Sequence, residues 1–325
     1  MKPFLNERIV TALKAAERVF LCTHVAPDGD AIGSLLAVRL LLEGMGKTVV
    51  ACCADPVPGQ YMILPGADQV IQPDQAGSGF DTALSLDAAD LRRIGSAAGV
   101  FERIPIRLQI DHHGTNPCFA QENEIDANAA AAGCIVMRLI KALNQPLTRE
   151  IAVCLYTAIS TDTGNFSYSN ADAEAFEIMA VLSGTGFDLA SLARHLHLMH
   201  EPGFLGLLSR ALSRLTFLHD GEATMTSLYP QDYADAHALP EHSDNIVNYG
   251  LYIPGVKLTC FVNSQRPDVT KFSFRALPPY SARRIAVRLD GGGHEAAAGA
   301  TVRLPAEQAI RLALAEIDRE MENKA

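Results

Sequence analysis

Side chains that can bind divalent cations recur in this chain directly after apolar segments. His24, Asp28 and Asp30 lie within seven residues of each other in the stretch "THVAPDGDAIGS", which follows the apolar run "RVFLC". Further candidates occur after "DTALSL", after "IRLQI" and within "TAISTDTGNF"; these are Asp87, Asp111, His112, His113 and Asp162. A set of carboxylates and imidazoles without thiolates suits Mn²⁺ or a similar divalent ion.

A catalytic metal ion must keep coordination positions open for water and substrate, so one ion cannot use six protein ligands. The six are His24, Asp28, Asp30, Asp87, His112 and Asp162. Two ions about 3.5–4 Å apart, sharing one carboxylate, would use all of them and could activate a water for displacement at phosphorus. The ligand set therefore favours a two-metal phosphoesterase centre.

Each motif taken alone has a simpler interpretation. Asp30 could be the N-cap of the helix that follows it, and "DHH" is short enough to occur by chance. The joint occurrence of the clusters, each after its own apolar segment, favours the metal centre. The histidines of "HLHLMH" could also bind metal, but residues at i and i+2 do not share a helix face, so we interpret them as surface residues; they are His195, His197 and His200.

The elements that would position these residues alternate between strands and helices up to about Gly186. Predicted strands are Val19–His24, Thr48–Cys53, Asp81–Leu86 and Ile106–Ile110, and predicted helices are Ala31–Glu43, Ala129–Leu143, Arg149–Ser160 and Ala173–Leu182. This α/β pattern predicts a largely parallel sheet with helices on both faces. Since ligands bind at the carboxyl ends of parallel strands, the Asp and His clusters should meet at one edge of the sheet.

The pattern changes after residues 187–206, a predicted connector that contains a Pro-Gly break. Residues 1–186 form one predicted domain, and residues 207–325 form a smaller predicted α/β domain. The elements predicted in the second domain are the strands Ala223–Leu228, Val256–Val262 and Thr270–Phe274 and the helices Ser281–Leu289 and Ala306–Glu322.

Composition and charge limit the class of function. The chain has 325 residues, enough for two domains, and a net charge of −10, which argues against binding of long duplex nucleic acid. No apolar stretch is long enough to span a bilayer, and no signal peptide is recognisable, so we expect no membrane partner. Seven cysteines without a C-x-x-C pair indicate reduced thiols, which predicts a cytoplasmic protein.

Five motifs together resemble the DHH phosphoesterase family. "HVAPDGDAIGS", "SLDAAD", "DHHGTN" and "ISTDTGNF" are similar to its four ordered motifs, and "GGGHEAAAGA" resembles the signature of its C-terminal DHH-associated domain. Length and layout are most similar to the branch of oligoribonucleases and pAp phosphatases, often called nanoRNases. The resemblance implies two Mn²⁺ ions per active site, with Mg²⁺ or Co²⁺ as substitutes.

The resemblance also implies a role for each residue of the centre. His24, Asp28 and Asp87 would hold one metal ion. The ligands of the other ion would be Asp30, Asp87, His112 and Asp162. His113 would lie near the scissile phosphate, and Asp111 would orient an imidazole.

The second domain would supply the substrate contacts, namely a guanidinium, a glycine run and an imidazole: Arg275, Gly291, Gly292, Gly293 and His294. Glycines let backbone N–H groups approach an anion, and arginine can bind phosphate through two N–H groups. A site of this kind would lie in a cleft between the two domains. Two positions depart from the family pattern, because Asp290 stands where a glycine is common and Ala276 where a serine is common.

The predicted function is hydrolysis of short oligoribonucleotides, of the 3′-phosphate of pAp, or of both. A cyclic- or linear-dinucleotide phosphodiesterase is the first alternative, and a manganese pyrophosphatase is disfavoured because its basic S-R-K run is missing. A non-catalytic nucleotide sensor would not need the full ligand set, and a RecJ-like exonuclease would need further nucleic-acid-binding modules. The sequence leaves open the preferred substrate, the direction of attack and the oligomeric state, for which a homodimer is allowed.

Overall fold

The protein is described here by a computed structural model, which covers residues 2–322 except for the side chain of Gln265. The chain divides into two compact units, residues 1–199 and 200–325. Both units combine strands and helices, so the predicted α/β class is confirmed. The domain limits inferred from the sequence, at residues 186 and 207, stay a prediction.

A five-stranded, fully parallel sheet forms the centre of the first unit. Its strands are β1 (Arg18–Cys22), β2 (Thr48–Cys52), β3 (Thr82–Leu86), β4 (Ile106–Asp111) and β5 (Glu122–Ile125). They lie side by side in the order β2-β1-β3-β4-β5. The first four agree with the predicted strands to within two residues, whereas the polar sequence "ENEI" of β5 does not predict a strand.

Protein packs against both faces of this sheet. The helices of the first unit are α1 (Glu7–Ala15), α2 (Gly29–Gly44), α3 (Ala98–Phe101), α4 (Ala132–Ala142), α5 (Arg149–Asp162), α6 (Ala173–Ser183) and α7 (Leu189–His197). Successive residues of β1 point to opposite faces, as in any strand. Val19 and Leu21 join the core formed with α1, α2, α4 and α5, while Phe20 joins a second core with α3 and the 3₁₀ segment Leu91–Ala97.

Helices α2, α4 and α5 pack closely because small residues line their contacts. A Cβ atom on Gly33 of α2 would lie 2.5 Å from the carbonyl oxygen of Cys154 on α5. A Cβ atom on Gly133 of α4 would lie 2.7 Å from the Cβ atom of Ala158, also on α5. Glycine at these two positions therefore lets α2 and α4 approach α5 closely.

The second unit is built on a six-stranded mixed sheet. Its strands are β6 (Thr216–Leu218), β7 (Ala223–Leu228), β8 (Leu258–Arg266), β9 (Val269–Ala276), β10 (Gly292–Gly293) and β11 (Ala297–Val302). They lie in the order β10-β11-β9-β8-β7-β6, with β7 and β8 parallel and the other neighbours antiparallel. The helices of this unit are α8 (Pro202–Ser213), α9 (Pro230–Asp235), α10 (Asn248–Leu251), α11 (Ala282–Arg288) and α12 (Ala306–Glu322).

The segment predicted as a connector, residues 187–206, is largely helical. It contains α7, whose first turn is capped by the Asp188 side chain accepting from the backbone N–H of Ser191 over 3.0 Å. It also contains the start of α8, where Pro202 occupies the first turn, a position that suits its missing N–H.

All seven cysteines are free thiols. Cys118 is exposed and the other six are buried, which agrees with the prediction of reduced thiols. Among residues 2–322, no helix is both long enough and apolar enough to cross a bilayer.

Candidate metal centre

The carboxyl ends of three neighbouring strands bring the predicted ligands together. His24 follows β1, Asp87 follows β3, and His112 follows β4. Since β1, β3 and β4 are adjacent in the sheet, their ends lie side by side. The other carboxylates come from helix ends: Asp28 and Asp30 at the start of α2, and Asp162 at the end of α5.

The imidazole of His24 forms one side of the centre. Its Nε2 lies 3.6 Å from Asp87 Oδ2 and 3.8 Å from Asp28 Oδ1. Its Nδ1 lies 2.8 Å from the carbonyl oxygen of Val25. With a metal ion at Nε2, the ring would keep its proton on Nδ1 and donate it to Val25, the arrangement usual for a metal-binding histidine.

The imidazole of His112 forms the other side. Its Nε2 lies 3.5 Å from Asp87 Oδ1, and carboxylate oxygens of Asp30 and Asp162 lie 3.8 Å and 3.7 Å away. Its Nδ1 lies 3.2 Å from the carbonyl oxygen of Ala129 and can donate to it. The same tautomer argument therefore holds for both histidines.

Asp87 links the two sides through its two carboxylate oxygens. The residue is buried and has a left-handed φ of +51°, while its backbone N–H donates to the carbonyl oxygen of Ile110 over 3.0 Å. Within the part of the chain that the structure describes, no hydrogen bond reaches Asp87 Oδ1. A buried carboxylate oxygen without a donor is costly, and a cation held between carboxylates and imidazoles would satisfy it. The residues present thus fit a divalent ion.

The carboxylate of Asp30 is held by backbone N–H groups at the start of α4, about a hundred residues further along the chain. Its Oδ2 accepts from the backbone N–H of Ala132 over 2.5 Å, and its Oδ1 accepts from Gly133 over 2.9 Å. The N-cap of α2 is Asp28, whose Oδ1 accepts from the N–H of Ala31 over 3.0 Å. The simpler interpretation of Asp30 as the N-cap of its own helix is therefore wrong, because its carboxylate binds the N-terminus of α4 instead.

The crowding of carboxylates perturbs the acidity of the centre. Burial alone would lower the pKa of His24, but hydrogen bonds and charge from its two neighbouring carboxylates raise this pKa to about 10. Burial and then the charge of Asp87 raise the pKa of Asp30 well above its usual value. Burial raises the pKa of Asp162. The charge of His112 opposes this effect and the charge of Asp87 adds to it, so that the pKa is about 6. Negative charge in this group is thus in excess, as expected of residues that receive a cation.

His113 lies at the edge of the centre and is oriented by Asp111. Its Nδ1 donates to Asp111 Oδ1 over 2.7 Å and lies 3.7 Å from Asp87 Oδ1. The bond to Asp111 raises the pKa of His113. Asp111 is buried, and its other oxygen accepts from the side-chain amide of Asn116 over 2.5 Å. Sequence reasoning misses Asn116, although it stands inside the motif "DHHGTN".

Arg93 is a second residue that the sequence does not single out. Its Nη2 lies 3.2 Å from His24 Nδ1. It belongs to the stretch "DLRRIG", where its spacing does not distinguish it from Arg92. The contact depends on how the segment after β3 folds back beside β1.

The residues predicted to bind substrate in the second unit share one sheet region. Arg275 on β9 pairs across the sheet with Ala297 on β11, and the backbone N–H of His294 donates to the carbonyl oxygen of Ala297 over 2.8 Å. Arg275 also lines a cavity of about 460 Å³ together with Lys271 and Asn263. The guanidinium and the "GGGH" hairpin therefore belong to neighbouring strands.

Two of the three glycines in this hairpin have a packing reason. A Cβ atom on Gly293, whose φ is +141°, would lie 2.6 Å from the carbonyl oxygen of Ala297. A Cβ atom on Gly291 would overlap the carbonyl oxygen of Gly299. A Cβ atom on Gly292 would meet nothing within 4 Å, so no packing reason requires glycine there.

The two departures from the family pattern have different structural settings. Asp290 is exposed, follows α11 and has a left-handed φ of +57°, the conformation that glycine adopts without strain. Ala276 is buried in the core of the second unit, and residues one position apart on a strand point to opposite faces. Its side chain therefore does not share a face with Arg275.

The histidines of "HLHLMH" make other contacts. His195 Nε2 lies 3.0 Å from the carbonyl oxygen of Gln60, and His197 Nε2 lies 3.1 Å from Ser160 Oγ. His200 stacks on Phe204 with ring centroids 4.1 Å apart. Among the described residues, none of these histidines belongs to a group that could hold a cation.

Two family models and several known proteins match this chain. Residues 18–159 match the family model "DHH family, N-terminal domain", and residues 231–323 match the "DHHA1 domain". The chain is 35% identical over 318 residues to the bifunctional oligoribonuclease and PAP phosphatase NrnA of Thermus thermophilus, covering 96% of this chain and 93% of that protein. It is 21% identical to the protein of the same name in Bacillus subtilis, over 92% of this chain and 93% of that one.

Solved structures show the same architecture. An exopolyphosphatase-related protein from Bacteroides fragilis superimposes with a TM-score of 0.91 at 25% identity, covering 96% of this chain and 95% of that chain. An exonuclease RecJ bound to manganese superimposes with a TM-score of 0.53 at 15% identity, covering 100% of this chain and 96% of that chain. At that identity the second likeness is one of fold.

Proposed function

Because the chain belongs to the DHH phosphoesterase family, we propose that it is a two-metal hydrolase of short oligoribonucleotides and of the 3′-phosphate of pAp. The observation that carries this proposal is the carboxylate of Asp87. One of its oxygens lies 3.6 Å from His24 Nε2, and the other lies 3.5 Å from His112 Nε2. The names of the similar proteins, which couple oligoribonuclease and PAP phosphatase activity, support the substrate class.

Each side of Asp87 has enough ligands for one ion. His24, Asp28 and Asp87 would hold the first. The ligands of the second would be Asp30, Asp87, His112 and Asp162. Oxygen and imidazole donors support Mn²⁺, with Mg²⁺ or Co²⁺ as substitutes. When bound, the ions would lower the pKa of a water and offset negative charge on the phosphate.

His113 would act on the substrate and not on the metal. Its Nδ1 is committed to Asp111, so Nε2 is the ring atom that can donate to a phosphate oxygen or to the leaving oxygen. Asp111 in turn fixes the plane of the ring, and the amide of Asn116 fixes Asp111. This chain of contacts supports a role for His113 in proton donation.

In the second unit, Arg275, Gly292 and His294 would bind a terminal phosphate. Arg275 can offer two N–H groups to one phosphate, and the adjacent hairpin offers backbone N–H groups. The charge of the chain, −10, supports short substrates, because each nucleotide beyond the site would face a net negative surface.

The test is a substrate panel offered to the purified protein loaded with Mn²⁺. The panel contains labelled oligoribonucleotides of two to five and of twenty nucleotides, pAp, cyclic dinucleotides and pyrophosphate, with Asp87→Asn as the inactive control. We expect kcat/KM to be highest for pAp or for the two- to five-mers and to fall for the twenty-mer. Turnover restricted to pyrophosphate or to cyclic dinucleotides would contradict the proposal, and so would efficiency that rises with strand length.

A further inference from the structure

A cationic side chain lies directly behind one of the candidate metal ligands. Arg93 belongs to the 3₁₀ segment Leu91–Ala97, and its Nη2 lies 3.2 Å from His24 Nδ1. The segment is fixed beside β1, since the carbonyl oxygen of Arg93 accepts from the backbone N–H of Val25 over 2.7 Å. Gly95 strengthens this anchoring, because a Cβ atom there would lie 2.5 Å from the Val25 side chain.

The contact with His24 does not satisfy the guanidinium. It involves Nη2 alone, at 3.2 Å from His24 Nδ1, whereas a guanidinium carries five N–H donors. Within residues 2–322, no carboxylate lies within 4.0 Å of the Arg93 guanidinium, and the side chain is exposed. Its neighbour Arg92 instead pairs with Asp90 at 3.1 Å. Arg93 is thus held near the centre with N–H groups available to an anion.

The negative charge of the metal centre explains why a nearby guanidinium would help to bind a phosphate. Four aspartates, Asp28, Asp30, Asp87 and Asp162, surround the positions where ions would bind. A phosphoester that enters this region would meet carboxylates as well as cations, and the positive charge of a guanidinium beside His24 would offset part of the repulsion. A planar guanidinium also binds two phosphate oxygens at once, which fixes their orientation.

We propose that Arg93 binds a non-bridging oxygen of the phosphate group that enters the metal centre, on the side of His24. This inference rests on the proposed function and adds to it a substrate-binding residue in the first unit. The alternative is that Arg93 only holds the His24 ring in place. The hydrogen bond to Val25 already does that, so removal of Arg93 should leave metal binding intact.

The experiment compares Arg93→Ala and Arg93→Lys with the neighbouring control Arg92→Ala in the full chain. Calorimetry first measures Mn²⁺ affinity without any phosphate, and then the binding of inorganic phosphate and of AMP to the Mn²⁺-loaded proteins. We expect Arg93→Ala to keep Mn²⁺ affinity within about twofold and to weaken phosphate and AMP binding roughly ten- to hundredfold, the usual effect of losing charge-assisted hydrogen bonds. Arg93→Lys should lose less, and Arg92→Ala should match the wild type.

Three results would overturn the inference. These are equal phosphate affinity in Arg93→Ala and Arg92→Ala, a loss of Mn²⁺ affinity as large as the loss of phosphate affinity, and an absence of phosphate binding by the Mn²⁺-loaded wild type. Because these measurements need no turnover, they separate the inference from the proposed function. A wild type that binds phosphate through Arg93 but hydrolyses none of the substrate panel would refute the proposed function alone.

Discussion

The backbone N–H of Gly133 donates to Asp30 Oδ1 over 2.9 Å, although the two residues are 103 positions apart in the chain. Together with the N–H of Ala132, it places the start of α4 against a carboxylate of the metal centre. The positive end of a helix stabilises such a charge. The orientation of Asp30 therefore depends on how closely α4 packs against α2 and α5.

Gly133→Ala should disturb both packing and the centre. Its Cβ would lie 2.7 Å from Ala158 Cβ, so α4 must shift, at a cost of about 1–3 kcal/mol in the free energy of unfolding. Mn²⁺ affinity should fall as well, since the shift moves the N–H groups that hold Asp30. Urea denaturation and calorimetry measure the two effects. Gly44→Ala is the control, because nothing lies within 4 Å of its Cβ; an equal loss in both variants would contradict the packing argument.

Asp111→Asn should lower kcat while Mn²⁺ affinity stays close to that of the wild type. Asp111 bonds to His113 and not to the imidazoles assigned to metal, and loss of an orienting carboxylate costs roughly 10–100-fold in activity. His113→Gln should cause a similar loss, and the double variant should lose no more than the worse single one. Losses that multiply in the double variant would show that the two residues act independently.

The replacement of a glycine by Asp290 leads to a prediction about charge and backbone strain. Asp290→Asn should lower KM for pAp, because it removes a carboxylate beside the "GGGH" hairpin and keeps the side-chain shape. Asp290→Gly should lower KM by the same amount. It should also raise the free energy of unfolding by about 0.5 kcal/mol, because glycine adopts the left-handed φ without strain but makes the unfolded chain more flexible. Asp220→Asn is the control, since Asp220 is also exposed with a φ of +52°. Unchanged KM in both Asp290 variants would show that its charge does not reach the substrate.

The stability of the second unit should depend on pH through Glu320. Its buried carboxylate accepts from the backbone N–H of Ser281 over 2.9 Å and from Arg284 Nε over 3.0 Å. Burial opposes ionisation, but these bonds outweigh it and hold the pKa of Glu320 below its usual value. A lowered pKa stabilises the folded state above the unfolded value of about 4.5, and this stabilisation is lost as the pH falls further.

Glu320→Gln should therefore lower the free energy of unfolding by about 1–2 kcal/mol at pH 7, because a neutral amide weakens the charge-assisted bonds from Ser281 and from the half-exposed Arg284. The difference from the wild type should shrink as the pH falls below about 4.5. Chemical denaturation at several pH values measures this. Glu307→Gln, at an exposed position of α12, should change stability by only a few tenths of a kcal/mol at any pH. A difference for Glu320→Gln that stays constant down to pH 3 would show that the ionised carboxylate of Glu320 does not stabilise the fold.

The sequence predicts that the metal ligands meet at the carboxyl ends of the strands, because each ligand can be assigned from the apolar run directly before it. His24, Asp87 and His112 each follow an apolar run, and a parallel sheet aligns such ends whatever the rest of the chain does. It does not predict which of Asp28 and Asp30 caps α2, because both precede the helix core at a suitable spacing. The choice is made by α4, which arrives from about a hundred residues further along the chain.

Other elements escape prediction for related physical reasons. β5 has the polar sequence "ENEI" and owes its conformation to pairing with β4. β10 and β11 are rich in glycine and alanine, which carry no alternating pattern, and their hairpin forms against β9. Arg93 is near His24 only because Gly95 allows its segment to pack against Val25.

The number and coupling of the Mn²⁺ ions bound by the wild type and by Asp87→Asn show whether Asp87 is a ligand of two ions. We propose that it is, since its two oxygens face different imidazoles. Calorimetry counts the ions, and electron paramagnetic resonance reports whether they share a ligand. We expect two ions per chain with exchange coupling in the wild type, and loss of both the coupling and phosphoester hydrolysis in Asp87→Asn. One ion per chain, or an Asp87→Asn variant that retains coupling and turnover in excess Mn²⁺, would contradict this proposal.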